Sequence, residues 1–138
     1  MTAQAARAIA SLMLTSLSLV ALGGAIGSAL RYLAGVGVVR LVGHQDFPLA
    51  ILTVNIIGSF LMGVFVVAAA HRGLTHLSPL VMTGLLGGFT TFSAFSLEAV
   101  VLFERGALGQ AAVYVLASVG LSIAGLMLGL WIARGMFA

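Results

Sequence analysis

Polar residues are so sparse along this chain that they act as punctuation between four apolar runs. The first runs from about Leu12 to the Arg31 region and on towards Val42, the second from about Pro48 to Ala70, the third from about Pro79 to Phe103 and the fourth from about Leu108 to Ile132. Each meets or exceeds the roughly 20 residues that a helix needs to cross a bilayer. The joints between them have turn chemistry: GHQDFP (43–48) gathers glycine, charge and proline, HRGLTHLSP (71–79) is a polar link ending in a Ser-Pro helix start, and ERGALG (104–109) is a tight connector. The pattern predicts one domain, residues 12–138, behind a short polar tail at 1–11. The first apolar run continues well past the core of a signal peptide, so it reads as a retained helix.

Composition fixes the solvent. With 62% hydrophobic residues, 7% charged residues and a mean hydropathy of +1.24, the chain has too few polar groups to coat a water-facing surface, so it is an all-α integral membrane protein partnered by lipid. The sequence pI near 10.7 comes from six arginines and no lysine, and gives no nucleic-acid signal. There is no cysteine, which excludes disulfides and thiolate metal sites. With four spans, Arg7, Arg72 and Arg134 share one side of the membrane and Arg31, Arg40 and Arg105 the other. A chain without positive-inside bias can insert in both orientations, and four helices are a small object to enclose a pathway, so an antiparallel dimer is open to it.

Inside a span, every polar group must find a partner or line a wet cavity. In the second run, TVNIIGSFLMG (53–63), Asn55, Ser59, Met62 and Gly63 fall on one helical face. In the fourth, Tyr114, Ser118, Ser122, Gly125 and Gly129 recur at steps of three and four. Small residues and hydroxyls also serve close helix packing, which is the reading for Gly23 with Gly27 and Gly84 with Gly88.

The third run departs furthest from a plain span, at GGFTTFSAFSLE (87–98). Gly87, Gly88, Thr90 and Thr91 weaken a helix or compete for its backbone bonds, which predicts a break near mid-membrane. Unwound backbone at that depth has to be buried in protein or line a cavity, and its carbonyl oxygens are free to ligate a cation. Beyond the break, Phe92 and Phe95 share a face beside Ser93, and the positive edges of phenylalanine rings can contact an anion without a fixed charge.

GGFTTFSAFSLE, together with GGAIGSALRY (23–32) and TVNIIGSFLMG, resembles the signature of the fluoride channel family known as Fluc or CrcB, in order and across nearly the whole chain. The resemblance implies an antiparallel, dual-topology homodimer in the bacterial cytoplasmic (inner) membrane, with two fluoride pores and broken third helices meeting at a structural sodium ion. By position, the main-chain carbonyls of Gly87 and Thr90 would hold that sodium. Phe92 and Phe95 match the pore phenylalanines with Ser93 beside them, Asn55 the pore asparagine, Tyr114, Ser118 and Ser122 the polar track, and Arg31 the arginine near the pore entrance. One departure is Ala94, where relatives often carry a hydroxyl.

No enzymatic constellation emerges. His44, His71 and His76 all fall in loops without a thiolate or carboxylate set beside them, and no phosphate-binding loop is present. A small proton-coupled multidrug exporter is the alternative of another class. It would need an embedded carboxylate early in the chain, whereas the first run carries Arg31 and the carboxylate of the third, Glu98, follows the break. Glu98 is expected to face an arginine or hydroxyl and not the conducted ion.

Overall fold

The computed structural model describes residues 3–137, all helix and link, with no strand among them. Helix α1 runs over Ala3–Val42 and α2 over Leu49–Arg72. A 3-10 turn at Thr75–Leu77 leads to a π-helical segment, Pro79–Leu86, which passes into the short α3 (Gly87–Phe89). Helices α4 (Phe92–Glu104) and α5 (Leu108–Phe137) complete the chain. Four stretches, Ala3–Val42, Leu49–Arg72, Thr75–Glu104 and Leu108–Phe137, are long and apolar enough to cross a membrane.

Helix α1 begins inside the segment expected as a polar tail, since Ala, Gln and Arg favour a helix as well as leucine does. At 1.5 Å per residue its 40 residues span about 60 Å, twice the hydrocarbon thickness. The hydroxyls of Ser11, Thr15 and Ser18 donate to carbonyls three or four residues back, at 2.8–2.9 Å, so they need no outside partner. Each link turns at a glycine of positive φ, and Gly73 closes α2 by donating its N–H to the Ala69 carbonyl.

Two helix pairs make the body: α1 packs along the π-helical segment and α3, and α2 packs along α5. Glycines set both seams. A Cβ on Gly84 would lie 2.8 Å from the Gly23 Cα, and one on Gly88 would lie 2.7 Å from the Gly24 carbonyl oxygen. In the other pair, Gly63 sits against the main chain of Leu126 and Leu130, and Gly129 against that of Phe60 and Val64. In the third span Gly84 and Gly88 therefore serve close approach to α1, and the Gly87-Gly88 pair stays helical. Large apolar side chains such as Leu12, Leu17, Leu116 and Trp131 point outward, as lipid contact requires.

Gly63→Leu is expected to destabilise the protein by about 1–3 kcal/mol, because the new side chain meets main-chain atoms that cannot step aside. Gly120→Ala, which meets open space, is the control. Thermal loss of the monodisperse species in detergent measures both.

Candidate functional site

The third span changes conformation at two residues. Thr90 (φ −80, ψ 160) and Thr91 (φ −154, ψ 120) are extended between α3 and α4. Thr90 N–H still donates to the Leu86 carbonyl at 2.9 Å, and its hydroxyl donates to the same oxygen at 2.9 Å. The same back-bonding occurs at Thr15 and Ser18 inside α1 without ending that helix, so the Thr90 hydroxyl loosens the turn and the departure itself falls at the Thr91 N–H. Thr91 N–H, which in an unbroken helix would bond the Gly87 carbonyl, turns instead to Asn55 Oδ1 at 2.8 Å, and Asn55 Nδ2 donates to the Thr91 carbonyl at 3.1 Å. From the other flank, Arg31 Nη1 donates to the Thr90 carbonyl at 3.4 Å.

Thr91 also starts the next helix. Its hydroxyl accepts from Ala94 N–H at 3.2 Å and lies 3.3 Å from Ser93 Oγ, an N-cap that satisfies one open donor of α4. The N-terminus of α4, with its partial positive charge, thus faces outward at Phe92 and Ser93, both exposed.

Two clefts open near the break. One of about 700 Å³ is lined by Ser28, Arg31, Tyr32, Arg40, Ile51 and Ala94 among others. The second, of about 270 Å³, is lined by Asn55, Ser59, Met62, Thr90, Thr91 and Phe92 with Gly58 and Leu126. Arg31 therefore reaches both a cleft and a main-chain carbonyl of the break.

Phe92 is 78% exposed and Phe95 is buried; their ring centroids are 5.3 Å apart. Phe95 packs on Tyr114 at 5.4 Å, and Phe47 meets Tyr114 edge-on at 5.7 Å. Tyr114 and Ser118 are buried one helical turn apart, near enough for their hydroxyls to interact, and neither has a well-formed hydrogen bond among the described residues. Ser122, a further turn along, is half-buried. Glu98 is half-buried on α4 and forms no ion pair among the described residues. His71 stacks on Phe137 at the α2 end, with Arg72 over the same ring, and takes no part in the site.

As donors for a hard cation, the Gly87 and Thr90 carbonyls suit sodium in type: Gly87 has lost its helical N–H partner, and Thr90 keeps only the long Arg31 contact. The residues that sequence reasoning did not single out are Thr91, as clasp and cap, and Phe47. The sequence marked Thr91 as a residue that weakens the helix at the break and gave no sign of its pairing or capping; nothing in the sequence ties Phe47 to Tyr114.

Residues 18–130 match the profile of a family described as CrcB-like protein, Camphor Resistance (CrcB). The chain belongs to the CrcB family. A Ruegeria sp. (strain TM1040) relative named fluoride-specific ion channel FluC is 69% identical over 123 residues, which is 89% of this chain and 98% of that protein. A Jannaschia sp. (strain CCS1) protein of the same name is 79% identical over 103 residues, 72% of this chain and 98% of its own length. A third of that name, from Agrobacterium fabrum (strain C58 / ATCC 33970), is 53% identical over 124 residues, 88% of this chain and 98% of that protein. As a CrcB protein with four apolar spans, the chain is an integral protein of the bacterial inner membrane and not an enzyme.

Thr91→Val is expected to cost about 1 kcal/mol by removing the α4 cap, and Thr91→Ser to restore most of it. Denaturation followed in detergent measures the difference.

Proposed function

We propose that this CrcB protein is a passive fluoride channel that lowers intracellular fluoride, working as an antiparallel, dual-topology homodimer whose third spans are broken near mid-membrane. The observation that carries it is the buried pair of hydroxyls, Tyr114 and Ser118, lacking well-formed partners behind Phe95. A buried hydroxyl left without a good partner costs about 1–3 kcal/mol, so a fold that keeps two of them side by side, with each other as the nearest polar group, has donor capacity in reserve for a passing ligand. Fluoride as that ligand rests on the names of the relatives.

Fluoride is small and tightly hydrated, so a selective path must replace water's hydrogen bonds with fixed donors held in series. Ser93 and the α4 N-terminus stand at one end of the series, the ring edges of Phe92 and Phe95 follow, and Tyr114, Ser118 and Ser122 continue it along α5. Asn55 borders the cleft beside Phe92. Binding at each donor has to stay weak enough for release. Arg31 and Arg40 line the larger cleft and raise the anion concentration there. Gly87 and Thr90 would hold the structural sodium through their carbonyls, and the ion, when bound, supplies positive potential beside the path. With Arg31 drawn to the break, Arg7, Arg72 and Arg134 on one face stand against Arg40 and Arg105 on the other, a difference small enough to leave dual insertion open.

Liposomes loaded in turn with fluoride and chloride, with an ionophore clamping the potential, test the reading. Rapid fluoride loss with chloride retained is expected; retention of both by folded protein overturns it. Phe95→Ile is expected to slow fluoride efflux by about tenfold or more, since it removes a ring edge while filling most of the space. Efflux at the wild-type rate would place the conduction path elsewhere.

A further inference from the structure

In a continuous span Asn55 would be a costly polar residue, yet its amide is fully engaged at two of its atoms by one residue of another helix. Asn55 Oδ1 accepts from Thr91 N–H at 2.8 Å while Asn55 Nδ2 donates to the Thr91 carbonyl at 3.1 Å. This is the donor–acceptor pattern that one residue of a neighbouring β-strand would offer, supplied by a side chain. It takes the N–H that would otherwise close on the Gly87 carbonyl, so the same pairing that satisfies Thr91 leaves Gly87 open. Of the two Nδ2 hydrogens, one is committed to Thr91 and one remains.

We infer that Asn55 is a positioning residue for conduction: by pairing with both main-chain groups of Thr91 it holds the third span in its extended break and so sets where Phe92, Ser93 and the N-terminus of α4 stand. This rests on the channel reading above and adds to the part Asn55 plays in it: besides bordering the cleft, its side chain is a clasp on the backbone. The geometry requires an amide. Leucine fills the space and makes neither bond. A carboxylate can accept from Thr91 N–H but has nothing to donate to the Thr91 carbonyl, which leaves two oxygens facing each other.

The sequence allows each half of the clasp to be watched alone. Thr90-Thr91 is the only Thr-Thr pair, Thr91-Phe92 the only Thr-Phe pair, and Asn55 the only asparagine. Pairwise isotope labelling of threonine carbonyls with threonine or phenylalanine nitrogens therefore isolates the Thr91 amide and the Thr91 carbonyl in NMR spectra of the full-length protein in micelles. In the wild type, the Thr91 N–H is expected to exchange slowly and to stay in place when sodium fluoride replaces sodium chloride. In Asn55→Leu, its exchange is expected to quicken about tenfold or more, the scale set by losing a buried main-chain partner. The carbonyl signal is expected to move and fluoride efflux to fall by a similar factor, with the oligomer's elution volume unchanged. Asn55→Asp is expected to split the readouts, keeping Thr91 N–H protected while the carbonyl signal moves and efflux falls.

Thr91 signals that ignore Asn55→Leu, or that change while efflux stays at the wild-type rate, overturn the inference. Should that variant fail to fold, the wild-type spectra decide alone: a fast-exchanging Thr91 N–H, or one that shifts with fluoride, overturns it. Wild-type efflux in the same vesicles tests the channel itself, so the two failures are separable.

Discussion

The whole arrangement depends on one obligation, that main-chain groups released inside a membrane span be paired by something other than water. At the Thr90 carbonyl and the Thr91 N–H the helix gives up its own bonds, and each group left behind would cost several kcal/mol in hydrocarbon. Helix α2 answers from one side with Asn55 and α1 from the other with Arg31, while the Thr91 hydroxyl answers along the chain by capping α4. The third span is held by its neighbours at the point where it cannot hold itself.

That requirement explains why the flanking seams are so close. Side-chain ties of hydrogen-bond length reach the break only if α1 and α2 lie hard against the third span. Gly23, Gly27, Gly84 and Gly88 bring α1 in, and Gly58 places α2 beneath Thr90 and Phe89. Gly63, Gly125 and Gly129 then seat α5 on α2, which carries Tyr114 and Ser118 to the flank of Phe95. Packing by small residues and the presentation of polar groups are consequences of one geometry.

Much of this was legible in the chain itself. The four apolar runs, the links at 43–48, 71–79 and 104–109, and the family likeness at 87–98 needed only hydropathy and local residue chemistry, and the runs match the helices within a few residues except at the N-terminal end of α1. What was not legible is pairing across distance. Asn55 and Thr91 are 36 residues apart, and Arg31 and Thr90 are 59 apart; no periodicity within one helix encodes which face of another it will meet. The glycines of the third span could signal either a break or a close approach, and the choice between them depends on α1 lying alongside. The π-helical turn had no local signal either, because Pro79 followed by branched and unbranched apolar residues starts an ordinary helix equally well.

That turn bears on how such a span can change over evolutionary time. A π-helical stretch carries each hydrogen bond one residue further than an α-helix does, so Pro79–Leu86 holds in reserve the equivalent of one inserted residue. Removing a residue there would let the segment relax to ordinary helix, but would turn everything beyond it by about 100° relative to α1 and α2. Gly88 would leave Gly24, and Thr91 would leave Asn55. Substitutions in this stretch meet mostly half-buried side chains and can drift, whereas its length is locked: the register of the break is stored as a residue count.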